Sequence, residues 1–112
     1  MSEPTQITIE EFARLDLRVG TILSAAPHPN ADRLLVLSVE LGEEAPRQLV
    51  AGIRASYEPS ALVGQQIVVV ANLKPAMLRG VESQGMLLAA SDSEGVVVLA
   101  PGRAFAPGTK VR

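Results

Sequence analysis

Alternation is clearest at 34–41, where Leu35, Leu37, Val39 and Leu41 share one side and Ser38 and Glu40 the other. A period of two over this length predicts a strand with one buried face. Ahead of it, 17–23 is rich in β-branched residues and mixed in pattern, which predicts a long first strand with a bend or bulge at Gly20. Turn chemistry in His28-Pro29-Asn30-Ala31-Asp32 separates the two, and a polar turn over 42–46 leads into a third strand at 47–51. From Gly52 the period changes, and 53–57 followed by 59–64 predicts two short helical turns, broken at Pro59, the second ended by Gly64. The nearly continuous apolar run 66–71 has the length of a central strand, and 86–90 is expected as a fifth strand. Between them lies a polar, irregular connection, 72–84. Asp92-Ser93-Glu94-Gly95 then turns the chain into 96–99, and a Pro- and Gly-punctuated remainder follows with Phe105 and Val111 as anchors. Near the start, Thr8-Ile9-Glu10-Glu11 has the spacing of a capping box, so a helix of one or two turns is expected with Phe12 and Leu15 inward.

Three meandering strands, a helical connection and two further strands is the order of the OB-fold, a Greek-key barrel. An SH3-like barrel also has five strands, but its helical connection falls elsewhere. The expected fold is therefore all-β: a five-stranded OB-fold barrel with short helices and a C-terminal β extension. At 112 residues the chain has room for one core. Its expected division is a tail at 1–8 and one domain at 9–112, in which 92–112 forms the extension.

Composition changes what this barrel is expected to bind. Formal net charge is −2, so affinity for an anionic polymer must come from a local patch. There are three aromatic residues, Phe12, Tyr57 and Phe105, too few for a binder that stacks successive bases on rings. Cysteine is absent, which excludes disulfides, thiolate metal sites and thiol nucleophiles and suits a cytoplasmic setting. Residues 1–15 carry acidic side chains and no apolar run, so no signal peptide is expected, and no stretch is long enough to span a bilayer.

Catalysis finds no support in the residues. His28 is the single histidine, lies in a turn and lacks partners at metal-binding or acid–base spacing. The serines form no nucleophile elbow, and Gly80 and Gly85 lack the lysine of a phosphate loop. No active site and no cofactor are expected. The connection at 72–86 is richer: Asn72, Lys74, Arg79, Ser83 and Gln84 stand on one loop between adjacent strands, where OB-folds carry ligand contacts. Lys74 and Arg79 suit phosphates, and the carboxamides and hydroxyl suit sugar hydroxyls or base edges. Residue types alone more often mean an ordinary solvated loop, here pinned to the barrel by Leu73, Met77 and Leu78. Arg18, Arg33, Arg47 and Arg54 are the other basic candidates, and eight of the ten cations are arginine, which suits bidentate phosphate contacts.

Four stretches make the chain similar to a known family. Asp16-Leu17-Arg18-Val19-Gly20, His28-Pro29-Asn30-Ala31-Asp32-Arg33-Leu34, Val70-Ala71-Asn72-Leu73-Lys74-Pro75 and Gly80-Val81-Glu82-Ser83-Gln84-Gly85-Met86 resemble the tRNA-binding domain family. That family includes C-terminal domains of methionyl-tRNA synthetases, free-standing bacterial proteins and the domain of endothelial monocyte-activating polypeptide. The resemblance implies structure-specific, largely sequence-independent tRNA binding by a non-catalytic module, free-standing or appended to a methionyl-tRNA synthetase. It also implies a homodimer assembled partly through the C-terminal extension. Carried over by position, the RNA contacts fall on Asn72, Lys74, Arg79, Ser83 and Met86, with Arg33 where relatives often have lysine. Met77 stands where many relatives have a further basic residue. A related branch consists of peptide-binding export chaperones, which look less similar at 72–75 and 83–86.

Overall fold

The computed structural model describes residues 5–112; positions 1–4 of the expected tail lie outside the described residues. The chain opens with the expected capping box. Thr8 Oγ1 accepts from the Glu11 amide at 3.1 Å and Glu11 Oε1 accepts from the Thr8 amide at 2.9 Å, which starts helix α1, Ile9–Phe12. Strand β1 (Leu17–Pro27) follows, then β2 (Leu35–Glu40) and β3 (Arg47–Ala51). A turn and the short helix α2 (Pro59–Leu62) lead to β4, Gln66–Val70. Beyond it come β5 (Ala76–Leu78), β6 (Val81–Ser83), β7 (Met86–Leu87), β8 (Ala89–Asp92), β9 (Gly95–Val98) and β10 (Lys110–Val111).

All pairings are antiparallel, in the order β3-β2-β1-β4-β7. The long β1 is the hub: Leu17 to Thr21 pairs with β4, the stretch from Thr21 to Pro27 pairs with β2, and β10 occupies the remaining edge at Leu17 and Arg18. Side chains complete the circuit from β3 to the β6–β7 segment. Ser83 Oγ accepts from the Val50 amide, Gln84 Oε1 from the Gln48 amide, and the Gln84 amide donates to the Gln48 carbonyl at 2.7 Å. The result is the five-stranded OB barrel anticipated from the strand order.

Inside it, Ile22, Leu35, Leu37, Val39, Leu41, Leu49, Ile67 and Val69 are almost completely buried, with Leu62 of α2 closing one end. The four alternating residues of 34–41 all lie in this core, as their period requires.

Several local expectations are corrected by long-range packing. Gly20 does not bend β1: the register shift lies between Ile22 and Ser24. A Cβ at Gly20 would stand 2.6 Å from Val39 Cγ1 and 2.9 Å from Leu41 Cδ2, so the glycine serves close packing of β1 on β2. Phe12 is half-buried and Leu15 is exposed, and α1 buries no residue; its single turn is fixed by its own capping box, and the segment after it by the Asn72 bonds to Arg14 and Asp16, rather than by apolar packing. Residues 53–57 form a turn and not a helical segment. That turn holds the extension, since Ser56 Oγ accepts from the Val96 amide and Tyr57 Oη from the Val98 amide.

The connection at 72–84 contains a hairpin, β5 to β6, and is not irregular throughout. The expected strand at 86–90 divides, β7 pairing with β4 and β8 turning away to pair with β9. Phe105 and Val111 are half-buried anchors, and both the amide and the carbonyl of Phe105 bond to the Gln66 side chain.

Candidate nucleic-acid interface

Two connections meet at one end of the barrel: residues 28–34 between β1 and β2, and the hairpin β5–β6 between β4 and β7. These are the two loops with which OB-folds hold oligonucleotides. The hairpin turns on Arg79 (φ 54°) and Gly80 (φ 90°), both left-handed, as a two-residue type I′ turn demands. Its tip is docked on the first connection. His28 is 3% exposed, its Nε2 lies 2.9 Å from the Leu78 carbonyl, and its Nδ1 accepts from the Asn30 amide. Arg79 Nη2 donates to the Asn30 carbonyl at 3.2 Å.

The residues singled out from the sequence fall into two groups. Lys74, Arg79 and Arg33 are exposed and form no ion pair among the described residues. Met86, 46% exposed, stands with Lys74 on the lining of a cavity of about 580 Å³ between the end of β3, the hairpin and β7–β8. Leu73, Leu78 and Ile53 give that cavity apolar walls, and Lys74 is the one charged residue on its lining.

Asn72 and Ser83 are engaged within the protein. Asn72 Oδ1 accepts from the Asp16 amide at 2.9 Å and Nδ2 donates to the Arg14 carbonyl at 2.7 Å, so it fastens the segment after α1 to the end of β4. Ser83 is 4% exposed, accepting from the Val50 amide and donating to the Gly85 carbonyl at 2.8 Å. Gln84 likewise bonds to β3.

The other arginines divide in the same way. Arg47 donates to the carbonyls of Ala71 and Gln84 and pairs with Glu43 at 2.9 Å, closing the barrel from β3. Arg18 pairs with Asp16 at 3.0 Å, and Lys110 of β10 stands 3.5 Å from the same carboxylate. The hydrogen bond from Arg18 holds the Asp16 carboxyl below the usual range, burial opposing and Lys110 assisting. Glu43 is lowered in the same sense, chiefly by the bond from Arg47. Arg54 is half-buried, and its amide donates to the Arg33 carbonyl, tying the turn after β3 to the first connection. His28 is the residue whose importance the sequence conceals. A histidine in a Pro-flanked turn carries no local sign that its ring will be buried against a hairpin fifty residues away.

Comparison with known proteins identifies the family of the chain. The model of the family described as "Putative tRNA binding domain" matches residues 17–110. The chain is 54% identical over 106 residues to the methionine--tRNA ligase of Thermococcus kodakarensis, covering 95% of this chain but 14% of that enzyme. It thus spans about one-seventh of the length of that relative. Among solved structures, the MetRS related protein from Pyrococcus horikoshii superposes with a TM-score of 0.89 at 32% identity, covering 97% of this chain and 100% of that one. Chaperone CsaA from Bacillus anthracis str. Ames superposes with a TM-score of 0.87 at 34% identity, over 96% and 100%. A family match that runs from the first residue of β1 to the first residue of β10, on a barrel whose two OB connections meet, leads to one assignment: the chain belongs to the tRNA-binding domain family.

Proposed function

We propose that this domain binds tRNA at the barrel end formed by residues 28–34 and the β5–β6 hairpin. Lys74, Arg79 and Arg33 contact phosphates there, and Met86 offers an apolar surface beside Lys74. Asn72 and Ser83 serve the same site by holding the connection in place, with Asn72 retaining exposed surface for a further contact. The observation that carries this proposal is that the two connections 28–34 and 72–86, joined through His28 and Arg79, bear three exposed cations, Arg33, Lys74 and Arg79, without carboxylate partners among the described residues, in a chain whose net charge is −2. With few aromatics, the domain recognises the folded shape, phosphates and 2′-hydroxyls of tRNA with little regard to sequence. It performs no chemistry itself and assists a methionyl-tRNA synthetase, as an appendix or a separate subunit, in the cytoplasm.

A homodimer accompanies this function, assembled partly through 92–112 and the strand edges near it. In support, β8–β9 forms a separate two-stranded sheet with all of β8 exposed, and Val97 and Leu99 are 63% and 44% exposed. The described residues contain no helix long and apolar enough to cross a membrane.

Binding measured at several salt concentrations tests the site. Each phosphate contact contributes a log–log slope of about −0.7 to −0.9, so Lys74→Ala and Arg79→Ala should each flatten it by that amount. Folded tRNA that bound no better than unstructured RNA of equal length would refute shape recognition. The likeness to chaperone CsaA and the apolar cavity favour peptide binding as a second function. It predicts that an unfolded polypeptide displaces tRNA and that the two charge removals leave polypeptide binding intact.

A further inference from the structure

The β5–β6 hairpin belongs to no larger sheet: its two strands of three residues pair only with each other. An isolated pair of such strands is unstable in water, so its position depends on tethers. At its base these are the Ser83 hydroxyl on Val50 and the Gln48 side chain on the Glu82 carbonyl. At its tip stands His28. Because His28 Nδ1 accepts from the Asn30 amide, the neutral ring carries its proton on Nε2 and donates it to the Leu78 carbonyl. Leu78 is the last strand residue before the Arg79-Gly80 turn and pairs with Val81 across it. Asn30, held by the ring through its amide, accepts from Arg79 through its carbonyl. The ring therefore joins both sides of the interface and locates the one residue of the tip that carries a charge.

We propose that His28 is a positioning residue for RNA binding, holding Arg79 where it meets a phosphate by anchoring the Leu78 carbonyl and the Asn30 amide. This rests on the tRNA function proposed above. A buried ring with both nitrogens bonded fixes the tip before the ligand arrives, which removes ordering that would otherwise oppose binding.

Two variants separate the two bonds. In His28→Asn the side-chain oxygen still reaches the Asn30 amide, but the donor to Leu78 is gone; in His28→Gln the donor remains and the Nδ1 acceptor is gone. Hydrogen exchange of the amides in 76–83, without RNA, reads the hairpin directly. His28→Asn should raise exchange there about tenfold, the equivalent of one lost hydrogen bond, while His28→Gln stays closer to the parent. Affinity for tRNA, measured in a cycle with Arg79→Ala, reads the role. The loss caused by His28→Asn should shrink to under about twofold once Arg79 is already alanine. Unchanged exchange at the tip, or a His28→Asn loss that persists in full beside Arg79→Ala, would overturn the proposal. A parent domain that ignores tRNA refutes the proposed function instead, and the exchange comparison then decides alone whether His28 holds the tip.

Discussion

Replacing Arg79 with asparagine sets stability against binding at a single position. Arg79 has φ 54°, a left-handed conformation that costs a non-glycine residue about 1–2 kcal/mol. Asparagine tolerates it better, and Asn-Gly is among the strongest type I′ sequences, so about half of that strain should be relieved. Against this, the variant loses the 3.2 Å bond from Arg79 to the Asn30 carbonyl, exposed and so worth about 0.5 kcal/mol. The net effect lies between zero and about 0.5 kcal/mol of stabilisation, or up to about 3 °C in Tm for a domain of this size. Binding moves the other way. One contact with a slope of about −0.8 is worth roughly fivefold in affinity at 0.15 M salt relative to 1 M, or about 0.9 kcal/mol. Thermal melts read the first quantity, and tRNA titrations at three salt concentrations read the second. A Tm lower by several degrees would show that the bond to Asn30 outweighs the backbone strain. A salt slope identical to that of the parent would show that Arg79 meets no phosphate.

Other positions separate holding from contacting. Ser83→Ala leaves the Val50 amide without its buried acceptor and should cost about 1–3 kcal/mol in denaturant unfolding. An unaltered unfolding midpoint would show that the hydroxyl does not hold the connection to β3. Gly20→Ala places a methyl 2.6 Å from Val39 Cγ1 and should cost about 1–3 kcal/mol by overpacking; a neutral result would mean that β2 yields easily. Gly108→Ala should be worse, because its Cβ meets the Leu41 carbonyl oxygen at 2.5 Å and its φ is +92°, and equal melting temperatures for the two variants would contradict this. Asp16 has its carboxyl lowered in the fold by the bond from Arg18, so its contribution is present above about pH 4 and is lost as pH falls through the folded-state value. Asp16→Asn should therefore flatten the acid limb of stability against pH, and an unaltered limb would assign that limb to other carboxylates, Glu43 first.

The chain's own pattern determined which strands exist and which faces they bury. Leu35, Leu37, Val39 and Leu41 could be assigned to a core because side chains alternate with period two whatever lies opposite. The capping box at Thr8 was equally legible, since both of its bonds span three residues. The order of strands and the helical connection sufficed for the OB barrel, and the four motifs sufficed for the family.

What only the tertiary structure decided is the work of each polar residue. Asn72, Ser83 and Gln84 looked like free ligands on a loop, yet their partners are Asp16, Val50 and Gln48, which lie 56, 33 and 36 positions away. Gly20 looked like a bulge, and the side chains that exclude a Cβ there come from the facing strand. His28 looked like an ordinary turn residue until the hairpin packed over it. Local periodicity encodes burial because burial depends on backbone geometry within a few residues. A hydrogen bond depends on which distant group barrel closure brings within about 3 Å, and that spacing is absent from any local stretch of sequence.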